Sequence, residues 1–164
     1  MSKKKQSKNA LNVYYCGALL LGLIVLVMIF VNNVNIVGAY SGEVHYAGSG
    51  LWAVFGHTTD NNISVFSFSV MNLITYLLVI AGMVMVGLKM GKVLKSKVVD
   101  LVAIGLFVVG GIFFFLVPAF AISSYANALG SLVSLKLGVG AIVAGVLSLV
   151  SAIGLIINLV LNKK

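Results

Sequence analysis

The chain has 164 residues, 61% hydrophobic and 9% charged, where an average soluble domain is about half apolar and about a quarter charged. Its formal net charge is +8, and all 11 basic residues are Lys. Too little polar surface is present to cover a water-soluble globule, so the lipid bilayer is the expected solvent and first partner. The lack of Arg excludes bidentate guanidinium recognition of phosphate or carboxylate.

The lysines mark the ends of apolar runs, and no nucleic-acid partner is expected from them. Lys3, Lys4, Lys5 and Lys8 precede the first run, Lys89, Lys92, Lys95 and Lys97 separate the second from the third, and Lys163 and Lys164 end the chain. Lys136 alone falls elsewhere and can snorkel at an interface. Many Lys and Asn without Arg suit an A/T-rich bacterial genome.

The first apolar run covers about 11–37, after a basic N-terminus at 1–10. It exceeds the roughly 7–15 residues of a signal-peptide core, so a transmembrane anchor is expected although Val37-Gly38-Ala39 resembles a cleavage site. Cys16, the only Cys, excludes an intramolecular disulfide and reads as a small buried hydrophobe. It stands near the start of the run, the wrong order for a lipidation signal.

Between the first two runs lies loop 38–64, with the only Trp, both His and two of the three acidic residues. "EVHY" and "LWAVF" around "AGSG" suggest a β-hairpin with Gly at positive φ. Ser64 to Val70 alternates with period two and suggests a strand leading into the second helix. Glu43, His45, His57 and Asp60 are candidate zinc ligands by residue type, but their spacing matches no compact motif and no metal or other cofactor is expected.

The remaining runs cover about 65–90, 98–122 and 132–161. Each is long enough for a helix of about 20 residues across the hydrocarbon, and continuous apolar runs favour helices over barrel strands. The expected fold is all-α: a four-helix transmembrane bundle whose domain covers 11–164, with a small extracytoplasmic loop domain that a β-hairpin could form. Asn72, Thr75 and Tyr76 share one face of the second span and need interhelical partners, for which Asn32, Asn33 and Asn35 are candidates. Asp100, about three residues past Lys97, is placed to favour the N-terminus of the third span and to pair with a lysine. Pro118 is expected to kink or end that span.

In the fourth span Gly140, Ala144, Ser148 and Ala152 recur every four residues, a spacing that allows close helix packing or self-association. Every span also has a Gly-x4-Gly pair, whose five-residue step puts the two glycines on different faces.

An even number of spans puts both termini and the middle loop on one side, which the positive-inside rule makes cytoplasmic. Loop 38–64 is then extracytoplasmic, with a bacterial plasma membrane as the expected location. Tyr14 and Tyr15 fit one aromatic belt, and Tyr40, Tyr46, Trp52 and Tyr125 the other. Tyr46, Trp52 and Phe55 are the candidate contacts to a partner or to the membrane surface.

At Gly50-Leu51-Trp52 the layout resembles the claudins and the wider peripheral myelin protein superfamily. The resemblance implies four helices, cytoplasmic termini and a first extracellular segment that forms a small sheet. It also implies that Trp52 anchors the outer domain at the membrane surface. The earlier Trp and the loop Cys pair of that family's signature are absent, and barrier formation between cells does not transfer with topology.

No catalytic constellation, phosphate loop or dinucleotide fingerprint occurs, and no enzyme activity is expected. The leading reading is a non-enzymatic scaffold or accessory subunit that contacts another membrane protein, or itself, through the loop and the small-residue helix faces. An oligomeric channel or small-molecule transporter is the second reading. A loop-based metal-binding module or membrane enzyme is the third.

Overall fold

The computed structural model describes residues 3–59, 62–94 and 96–161, with side chains from residue 13 onward. Four helices are long and apolar enough to cross a membrane: α1 (Lys3–Val27), α3 (Val70–Met90), α4 (Lys97–Phe115) and α7 (Val139–Leu161). They form a ring, α1 on α3, α3 on α4, α4 on α7 and α7 on α1. The chain thus has the make-up of an integral membrane helix bundle.

Each helix begins or ends where its sequence supplies a stop or a cap. The α1 helix tightens into a 3-10 turn at Met28–Phe30. Ser69 caps α3, its hydroxyl accepting from the Asn72 amide, and Ser96 caps α4 by accepting from Val98. The α4 helix stops at Phe115, and Pro118 stands in the first turn of the short α5 (Val117–Phe120), a position where its missing N–H costs nothing.

Two regions expected to be helical are strands. Asn32–Gly38 is β1, not the end of the first span, and Val133–Leu137 is β5, not the start of the fourth. Together with β2 (Val44–Ser49) they form an antiparallel sheet in the order β2-β1-β5. The central strand pairs Asn35 with Ala47 on one side and with Lys136 on the other. Val34, Ile36 and Val37 supply β-branched, buried side chains to it. The β1–β2 turn closes through Gly38 N–H to the Glu43 carbonyl, with Gly42 at φ 70°.

The expected hairpin is also replaced. "EVHY" overlaps β2, which pairs with β1, while "LWAVF" lies in helix α2 (Gly50–Phe55), capped by Ser49. Gly56 stops that helix at φ 87°. A second small sheet pairs β3 (His57–Thr58) with β4 (Ser64–Phe66), so the expected strand is present but ends before Ser67. The connector from α5 through α6 (Ser124–Leu129) is stitched to β4: Ser123 Oγ donates to the Val65 carbonyl, and Ser67 N–H to the Ile122 carbonyl. These pieces form one cap over one end of the bundle. Its core joins Val34, Ile36, Val54, Val65, Phe66 and Val117.

Candidate functional site

Two polar groupings lie inside the bundle, and the path of the chain creates each. At the cap end, the turn from α1 into β1 carries Asn33 under the cap and against α3. Its Nδ2 donates to the Tyr76 hydroxyl at 2.6 Å and to the Met28 carbonyl at 3.2 Å. Asn72, one turn earlier on α3, donates to the Ala53 carbonyl of α2 at 3.0 Å. Thr75 returns its hydroxyl to the Met71 carbonyl of its own helix at 3.0 Å. Asn33, Asn72, Thr75 and Tyr76 are all buried.

Glycines make this grouping possible. A Cβ at Gly50 would fall on the Asn33 amide nitrogen and the Tyr76 hydroxyl, and one at Gly140 would fall on the Asn33 amide oxygen. Asn33 is therefore held between α2 and the first turn of α7. The amide oxygens of Asn32, Asn33 and Asn72 accept no hydrogen bond from the described residues. The oxygens of Asn32 and Asn33 face Gly138 and Gly140, where α7 begins. The partial positive charge of a helix N-terminus favours oxygen there.

At the opposite end, each helix contributes one polar side chain. Asp100, in the first turn of α4, pairs with Lys89 of α3 at 2.9 Å and accepts from the Tyr15 hydroxyl of α1 at 2.9 Å. Asn158 of α7 is buried at the same end, beside the Tyr15 hydroxyl. Lys89 Nζ also donates to the Ser96 carbonyl at 2.6 Å. The expected pairing of Asp100 with a lysine is made by Lys89, because α3 and α4 are antiparallel neighbours. Tyr15 is buried in this clasp and does not join Tyr14 in an aromatic belt.

Between the two groupings the buried side chains are mainly apolar. Tyr76 and Lys89 are 13 positions apart on α3, about 20 Å along a helix. Val79, Val86, Ala103, Phe107, Ala152 and Leu155 are buried between them. Ser148 is buried there too, donating to the Phe107 carbonyl at 2.8 Å. Gly140, Ala144, Ser148 and Ala152 all face inward, and α7 uses their row against its own chain.

The five-residue glycine pairs split as their geometry requires. Gly22, Gly82 and Gly110 abut neighbouring helices, while Gly17, Gly87 and Gly105 face open space. Gly140 and Gly145 are the exception, both closely packed, because α7 is enclosed on two sides.

The candidate contact residues divide between packing and exposure. Trp52 stacks on His57 with ring centroids 3.8 Å apart, and Tyr46 meets Tyr125 edge-on at 5.2 Å. Phe55 remains 59% exposed, and Tyr40, on the β1–β2 turn, 87%. Cys16 is exposed on α1, contrary to its reading as a buried hydrophobe, because the buried positions around it are Tyr15 and Ala18. No three potential metal ligands gather among the described residues, and Asp60 lies outside them.

The four-helix clasp is not evident from the sequence, although its residue types are visible there. Tyr15, Lys89, Asp100 and Asn158 each sit near the Lys-rich end of a predicted span, where polar side chains can meet only if all four ends converge. Comparison with protein-family models, with curated proteins and with solved structures finds no match.

Proposed function

We propose that this protein is a non-enzymatic membrane scaffold or accessory subunit, which presents its cap to another membrane protein or to a second copy of itself. One observation carries the reading: the buried polar side chains of the spans donate to groups of the same chain, whereas the large aromatic side chains of Tyr40 and Phe55 remain exposed on the cap. A conduit needs polar groups facing a path, and the buried side chains around Phe107 are mainly apolar, with the Ser148 hydroxyl bonded to the Phe107 carbonyl. The small-residue face of α7 is used within the chain, so the proposed contact falls on the cap, around Tyr40 and Phe55.

In this reading the Lys-rich end is cytoplasmic, in a bacterial plasma membrane, and the cap faces out. A claudin-like layout is part of the proposal, supported by a sheet that directly follows the first helix and by Trp52 on the cap helix.

A photoreactive residue at Phe55, expressed in the native membrane, tests the contact. The reading expects a discrete protein adduct that a substitution at Tyr40 weakens. Labelling of lipid alone would overturn it.

A further inference from the structure

The turn between α3 and α4 places two lysines where the local structure favours other residues. It closes α3 with the paired hydrogen bonds of a left-handed helix cap: Lys92 N–H donates to the Lys89 carbonyl and Val93 N–H to the Leu88 carbonyl, both at 3.1 Å. Such a cap puts its left-handed residue one position past the helix, where glycine is usual. Here Gly91 is right-handed at φ −69°, and Lys92 takes the left-handed position at φ 59°. A residue with a Cβ is disfavoured in that conformation. The negative end of α3 favours a cation nearby, but Lys89 already stands in its last turn. Lys97 is the first residue of α4, where the positive end of the helix disfavours a cation. Asp100, the acid of that turn, is paired with Lys89. Among the described residues neither Lys92 nor Lys97 pairs with a carboxylate, and both are exposed.

The other side chains of the turn say what lies opposite these lysines. Val93 is 68% exposed and Leu94 37%, directly after Lys92. One span ends at Met90 and the next begins at Lys97. The N–H groups of Val93 and Leu94 both fold back on the Leu88 carbonyl. The turn is thereby held at the level where hydrocarbon gives way to head groups. Apolar side chains beside lysines suit that boundary, because the first enter the acyl region while the second reach phosphate. An acidic protein segment would match the lysines but not Val93 and Leu94. Residues 88–98 contain no acid to repel an anion.

We propose that the α3–α4 turn is a contact site for anionic phospholipid, with Lys92 and Lys97 on the phosphate and Val93 and Leu94 at the top of the acyl chains. The anion offsets the two unfavourable lysine placements. This contact is separate from whatever the cap binds.

Tryptophan fluorescence reads the contact locally. Trp52 is the only native Trp, so in the full chain carrying Trp52→Phe and Val93→Trp all emission comes from the turn. That chain is reconstituted into phosphatidylcholine vesicles containing phosphatidylglycerol or phosphatidylcholine with brominated acyl chains. Both are expected to quench, phosphatidylglycerol several-fold more effectively at equal mole fraction. Adding Lys92→Gly and Lys97→Gln is expected to make the two lipids nearly equal. Because glycine suits the backbone better than lysine there, Lys92→Gly alone is expected to hold or raise the unfolding midpoint in phosphatidylcholine micelles. Equal quenching with both lysines present would overturn the anionic contact and leave an acidic protein segment as their partner. No quenching by either lipid would put the turn outside the bilayer and overturn the proposal. A preference that survives loss of both lysines would overturn their role. So would a lowered midpoint in Lys92→Gly, which would assign Lys92 to the α3 C-terminus. The comparison of lipids with both lysines present decides the first two outcomes even if a lysine variant fails to fold.

Discussion

Asn33 shows how much one polar side chain can organise inside a bundle. It joins the end of α1 to α3 through Tyr76, and it fits only because Gly50 and Gly140 carry no side chain. Tyr76→Phe removes the accepting hydroxyl and is expected to cost about 1 kcal/mol, read by reversible unfolding in mixed micelles. Gly50→Ala places a methyl on both partners and is expected to cost more, about 1–3 kcal/mol. If Gly50→Ala proved neutral, the close approach of α2 to Asn33 would be wrong. At the other end, Asp100 and Lys89 are mostly withdrawn from water, with 8% and 15% of their side chains exposed. Lys89→Met leaves Asp100 buried beside Tyr15 without its cation, and about 3 kcal/mol of destabilisation is expected. A double variant, Lys89→Met with Asp100→Asn, should recover part of that loss. Full additivity of the two single changes would contradict the pairing. The Asn72, Thr75 and Tyr76 face was legible in the sequence from spacing alone, as was the need for an Asn partner. Which Asn it would be was not, because that depends on where α1 gives way to β1.

The misplaced elements are those at which an apolar run passes into a strand with no turn residue between them. Val31 to Val37 follows α1 without Gly or Pro, yet its β-branched residues and three Asn are poor helix formers. Val133-Ser134-Leu135-Lys136-Leu137 alternates strictly, a period-two signal obscured by the apolar helix that follows. What no local pattern shows is that these two strands, about a hundred positions apart, pair with each other. Ile36 is central to that pairing and fully buried, and Ile36→Ala is expected to cost about 3 kcal/mol. Ser69 serves two elements at once, capping α3 and donating to the Phe120 carbonyl at 2.7 Å. Ser69→Ala should therefore cost about 1–2 kcal/mol, more than a cap on an isolated helix. A loss no larger than that of Ser96→Ala, which caps α4 alone, would argue against the double role.

At the scale of the molecule, the four spans, their Lys-rich ends and a small loop domain after the first span were readable from the sequence, but not that the connector before α7 adds a strand to that domain. The cap draws on a loop after α1 and on a connector before α7, so it exists only once the helices have gathered both segments at one end. The two clasps fix the ring at both ends, mainly apolar side chains lie between them, and the sheet ties the first crossing to the last. That closure makes the chain a rigid support for the aromatic surface, which is the basis of the proposed scaffold role. The pairing of β1 with β5 is the most direct point at which to test it. Asn35 and Lys136 are directly opposed in that ladder, at a separation of about 5 Å that a disulfide can span. With Cys16→Ser as background, Asn35→Cys and Lys136→Cys are introduced together, and the protein is oxidised in its membrane. The account predicts a disulfide within one chain, seen as a single crosslinked tryptic peptide at monomer mass. No crosslink, or only crosslinks between chains, would contradict it.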